Sequence, residues 1–129
     1  MNSQITDVKY PDKKLLIAGS NSDSKYTIEK ALNHVTPINY IDIMALSRYL
    51  LIKKDIDIIL VDLQNLTSKE LDKIKFVRKL SYDNLFIGLS SSDDHEFIKQ
   101  VQNNNLFDYV LEKPVDEQKL YFIIDYYLG

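Results

Sequence analysis

Five short apolar runs, each followed by a longer stretch of helical period, recur along the 129 residues, and this alternation restricts the fold more than any single motif. A strand buried on both faces reads as a continuous hydrophobic run, because helices laid across the sheet leave no wet face to alternate with. The runs are Leu15 to Ala18, Ile38 to Ile41, Ile56 to Val61, Leu85 to Leu89 and Tyr109 to Leu111. Strand and helix repeating in this way specify an α/β chain whose parallel sheet is covered by helices on both sides.

The intervening segments carry helix signals. The first helix starts after Ser22-Asp23-Ser24, all good caps, and turns Ile28, Ala31 and Leu32 inward. The second spans roughly Asp42 to Lys53 with Ile43, Leu46 and Leu50 inward, and the third runs from Ser68 through Leu71, Ile74, Val77 and Leu80. A fourth opens at Ser92-Asp93-Asp94, where acidic residues favour the positive end of the dipole, and the fifth begins near Asp116. Residues 1–12 read as a frayed polar arm, and 13–129 as one domain with no room for a second.

Composition narrows the function. The chain has no cysteine, so disulfides and thiolate metal sites are excluded. His34 and His95 have no ligand-like companions. Three glycines are too few for a phosphate-cradling loop or a dinucleotide fingerprint, and no nucleophile-base arrangement is present, so an enzyme is not expected. A net charge of -3 supplies no field for phosphate backbones, and direct nucleic-acid binding is not expected either. With neither a signal peptide nor an apolar run of membrane-spanning length, a cytoplasmic protein without membrane contact is the expectation.

The candidate site follows from topology. In an open parallel sheet, ligands bind beyond the carboxyl ends of the strands, where the strand order reverses. Gly19-Ser20, Asp62, Ser90 and Lys113 all fall at such ends. A carboxylate closing an apolar run demands a partner or a function. With a hydroxyl and an ammonium nearby to hold phosphoryl oxygens, Asp62 has the surroundings of a nucleophile toward phosphorus.

In these residues, above all Asp57-Ile58-Ile59-Leu60-Val61-Asp62 and Glu112-Lys113-Pro114, the chain resembles the receiver domains of two-component response regulators. The likeness runs from Lys13 to Leu128. It implies a flavodoxin-like three-layer sandwich with five strands in the order 2-1-3-4-5 and five helices. It further implies phosphoryl transfer from a histidine kinase to Asp62, phosphate contacts from Ser90 and Lys113, and a Lys-Pro peptide that is usually cis. Receivers ordinarily drive an output domain, and none is expected after Gly129.

The departures are as informative. The family's acidic pair, which holds Mg²⁺, falls on Gly19 and Ser20, neither of which carries charge. Asp62 is then the one carboxylate assigned to the site, with Asp23 the nearest substitute, although Asp23 also reads as a helix cap. No metal or other cofactor is therefore assigned, Mg²⁺ entering only if Asp62 is a working phosphoacceptor. Replacing Gly19 and Ser20 with Asp is expected to restore metal affinity. The segment Leu63 to Ser68 lacks the family's Pro and Gly, and the switch aromatic aligns with Val110, with Tyr109 one place earlier on the opposite face.

The last helix carries a core stripe at Leu120, Ile123, Ile124 and Tyr127, yet Tyr121, Phe122, Tyr126 and Leu128 lie off it. Such a helix presents a patch to a partner, or else its tyrosines are simply half-exposed with their hydroxyls in water. The partners weighed are a histidine kinase, a downstream signalling protein and a second copy docked through this helix. Three functions stay open: a receiver acting by phosphate-independent protein contacts, a working phosphoacceptor, and an unrelated flavodoxin-like binding module or small enzyme.

Overall fold

Side chains of successive strand residues point to opposite faces, and in this chain both faces are apolar. The computed structural model describes residues 8–19, 25–52, 55–64, 66–80, 83–91, 99, 101 and 105–129. Within them the strands are β1 (Leu15–Ala18), β2 (Ile38–Ile41), β3 (Ile58–Asp62), β4 (Leu85–Ser90) and β5 (Tyr109–Glu112). The helices are α1 (Lys25–Leu32), α2 (Leu46–Ile52) with a 3-10 turn at Ile43–Ala45 before it, α3 (Ser68–Leu80) and α4 (Glu117–Leu128). The five strands form one parallel sheet in the order β2-β1-β3-β4-β5. This is the expected flavodoxin-like order. The helix expected from Ser92 lies outside the described residues apart from Lys99 and Val101, the latter buried.

The strands divide their residues between two core layers. Leu15, Ile17, Ile58, Leu60, Ile87 and Leu89 pack with α1 and α4. Leu16, Ala18, Ile59, Val61 and Phe86 pack with α2 and α3. A one-residue slip in register would exchange the two sets, so each layer pins the other. β2 lies at the edge and is correspondingly half-exposed.

Local chemistry places the helix ends. The Asp42 carboxylate accepts from Met44 N at 2.8 Å, and Asp116 accepts from Gln118 N and Lys119 N. The N-cap of α3 is Thr67. Its hydroxyl accepts from Glu70 N at 3.1 Å while Glu70 returns a carboxylate to Thr67 N at 2.9 Å, a reciprocal capping box. Leu80, expected inward, is exposed at the C-terminus of α3.

Two further expectations are corrected. Residues 8–12 are not a frayed arm: Lys9 N and Tyr10 N donate to the carbonyls of His34 and Val35, while Lys9 Nζ and the Tyr10 hydroxyl reach Asp125 at 2.7 and 2.8 Å. The core stripe of α4 is Leu120, Ile124 and Leu128, with Ile123 and Tyr121 packed at its margin. Leu128, offered as an interface residue, is therefore core, and Tyr127, offered as core, lies at the surface and donates its hydroxyl to the Asp83 carbonyl at 2.9 Å. A helix apolar on nearly all sides does not encode its own rotation about its axis. A buried phenol needs a polar partner where a leucine needs none, which favours Leu128 inside.

Candidate functional site

The register brings the strand ends together. Asp62 ends β3 opposite Leu89, Ser90 ends β4 opposite Glu112, and Lys113 N donates to the Ser90 carbonyl at 2.8 Å. Asp62 and Ser90 are both buried. The Lys113–Pro114 peptide is cis.

Lys113 folds back over Asp62. Its Nζ lies 3.0 Å from Asp62 Oδ1 and 2.9 Å from Oδ2, with side-chain exposures of 13% for the lysine and 6% for the aspartate. A carboxylate this sheltered is tolerated when paired and hydrogen-bonded. The third ammonium proton goes to Gln64 Oε1 at 3.0 Å, and Gln64 N donates to Asp62 Oδ1 at 3.0 Å. An ammonium has three protons to give, so among the described residues Lys113 is saturated. Sequence reasoning did not single out Gln64. The available signal is its place two residues after an aspartate, where a backbone amide closes an Asx turn.

Gly19 abuts the same aspartate at its backbone and Cβ. Its φ of +139° is one that side-chain-bearing residues rarely adopt, and a Cβ built there would lie 2.8 Å from Asp62 Cβ. Position 19 thus lacks both an acid and the room for one. An aspartate introduced at position 19 alone meets a strained backbone and a close contact with Asp62 Cβ. Ser20 and Asp23 lie outside the described residues. Among those described, no group of three His, Cys, Asp or Glu gathers to hold a metal ion. Among the described residues the donor set does not fit a hard octahedral cation, because Asp62 is the one carboxylate there and its oxygens are engaged by Lys113 and Gln64 N.

On β5, Val110 packs with the α2/α3 layer, whereas Tyr109 lies exposed and lines a groove beside α4. The two residues face opposite sides of the sheet. Of the four residues offered as an interface, Phe122 and Tyr126 are 67% and 78% exposed. Tyr121 is half-buried, stacked on His34 at 6.5 Å and edge-on to Phe122 at 5.9 Å.

With this geometry established, solved structures supply a comparison. The REC domain of AraT, a response regulator from Geobacillus stearothermophilus, superposes with a TM-score of 0.69 at 21% identity, over 91% of this chain and 93% of that one. The signal receiver domain of an HD domain-containing protein from Pseudomonas fluorescens gives 0.69 at 16% identity, over 91% and 87%. The fold is receiver-like. A chain described as adenylate cyclase from Rhodopirellula baltica also matches, with a TM-score of 0.65 at 17% identity over 91% of this chain and 87% of that one. Likeness at these identities carries the fold and not the activity, which must be argued from the site. No protein-family model matches the sequence, and no curated protein matches it. No described helix is long and apolar enough to cross a membrane.

Proposed function

We propose that this chain is a receiver-like signalling module whose metal-dependent phosphorylation is weakened or lost and which works by protein contacts. The observation that carries the reading is the Lys113-Asp62-Gln64 cluster. Lys113 supplies the positive charge that balances Asp62, and every ammonium proton has an acceptor. A divalent ion entering there would have to displace Lys113, and Gly19 adds no second carboxylate to repay the cost. The receiver-like fold and the exposed aromatics of α4 support a protein, either a kinase or a downstream component, as the partner.

One specific arrangement favours a second reading. Asp62, Ser90 and Lys113 converge at neighbouring strand ends, as a phosphoacceptor site requires. On that reading an Asp62 oxygen forms a bond to phosphorus, the donor's leaving group departs, and the Lys113 ammonium holds a phosphoryl oxygen.

Intact-mass measurement after incubation with acetyl phosphate, with and without Mg²⁺, separates the two. The expected result is no phosphoryl adduct under either condition. A Mg²⁺-dependent adduct that disappears in Asp62→Asn would establish the second reading instead.

A further inference from the structure

The groove between β5 and α4 is lined by Leu85, Tyr109, Phe122, Ile123, Tyr126 and Tyr127 and measures about 650 Å³. Tyr109 and Tyr127 are 47% and 43% exposed, and Phe122 and Tyr126 more so. Four aromatic rings thus turn toward one open channel. The faces of such rings carry partial negative charge and attract cations.

The end of the groove near Tyr127 has a second property of the same sign. Burial raises the Tyr127 phenol above its ordinary pKa, and the negative charges of Asp57, Asp108 and Asp83 raise it further, so all three carboxylates act on this end. Part of this charge is offset. Asp108 is paired with Arg78 at 3.0 Å, the Asp57 carboxylate accepts from the backbone amide of Lys14, and the Lys14 ammonium pairs with Asp55 at 2.8 Å while also feeling the charge of Asp57. Asp83 forms no ion pair with a described residue. With Asp55 counted, four carboxylates therefore face two described cations, Arg78 and Lys14.

We propose that this groove docks a cationic segment of a partner protein, an arginine or lysine side chain carried among apolar neighbours. The inference rests on the reading of the chain as a protein-contact module and names the chemistry of its partner. The aromatic lining and the carboxylates, two independent features, favour the same ligand charge. A second copy of this chain would bring its own net charge of -3 and the same carboxylates. A small organic cation would lie largely uncovered among rings this exposed, whereas ligand pockets enclose most of their ligand. A side chain delivered by a protein segment keeps the rest of its contacts on its own chain.

The test is an NMR titration of the full chain, following aromatic side-chain signals, with two synthetic peptides of equal length. One alternates leucine with arginine and the other leucine with glutamine. The arginine peptide is expected to shift the signals of Tyr109, Phe122, Tyr126 and Tyr127, and more weakly at high salt. Tyr126→Ala should raise its Kd about tenfold and Asp83→Asn several-fold. Phe122→Ala serves as a second probe should Tyr126→Ala fail to fold. Equal binding of the glutamine peptide, or no shift of these four residues, overturns the proposal. Shifts of the same rings on dilution without peptide overturn it in favour of self-association. The peptide titration and the acetyl phosphate mass measurement are both made on the parent protein, so failure of the groove and failure of the phosphorylation reading are read out separately.

Discussion

Lys113 straddles Asp62, its ammonium 3.0 and 2.9 Å from the two carboxylate oxygens, and both side chains are sheltered from water. Removing one partner strands the other charge in a poorly hydrated place. Lys113→Met or Asp62→Ala should each cost about 3–5 kcal/mol. The double variant should cost less than the sum, because it leaves no orphaned charge. Urea unfolding of the four proteins in the cycle checks this, and strict additivity would mean the pair is not coupled.

Magnesium should leave the fold unchanged. A ligand that binds the native state stabilises it by mass action, by about 2.7 kcal/mol at a hundred times its Kd. With Asp62 already paired, millimolar Mg²⁺ should not move the melting temperature. A rise that Asp62→Asn abolishes would show that the ion displaces Lys113.

Gly19→Asp should destabilise the domain rather than rebuild a metal site. The backbone at φ +139° and the 2.8 Å approach to Asp62 Cβ both oppose a side chain. Backbone strain of this kind costs roughly 1–3 kcal/mol before any clash is counted. Gly19→Ala isolates the steric part, and its loss of stability in urea should approach that of Gly19→Asp.

On α4 the outcomes should divide by burial. Leu128→Ala empties a core position and should cost about 2–5 kcal/mol. Tyr126→Ala removes a ring that is 78% exposed and should stay within about 0.5 kcal/mol of the parent. Thermal and urea unfolding of both variants checks the assignment, and a reversed order would return Tyr126 to the core.

Acid should release the N-terminal segment from α4. Hydrogen bonds donated by Lys9 and then by Tyr10 hold the Asp125 carboxyl below its ordinary pKa. Because the folded value lies below the unfolded one, the stabilisation is present above the unfolded pKa of about 4. It is lost as pH falls through the folded value. The stability gap between the parent and Asp125→Asn should therefore close in acid. A gap that persists at the lowest pH would point to a role for Asp125 other than its charge.

The strands were legible in the sequence because burial on both faces writes a run of aliphatic residues, and Leu15–Ala18 and Ile38–Ile41 lie where expected. Asp62, Ser90 and Lys113 were legible as residues that close such runs. Chain order alone left open what each touches. The aim of the lysine at Asp62, the third acceptor supplied by Gln64 and the closed space at Gly19 arise at the carboxyl ends of β1, β3 and β5, which the parallel sheet brings to one side of the molecule. The rotation of α4 was likewise undetermined, since apolar residues on nearly every side satisfy more than one orientation. Packing against α1 and the sheet chose Leu128 for the core and left Phe122 and Tyr126 outside. Local pattern encodes which segments are strands and helices, because burial repeats with the period of the backbone. Contacts between residues distant in sequence decide partners and orientation, because they depend on how the finished layers meet.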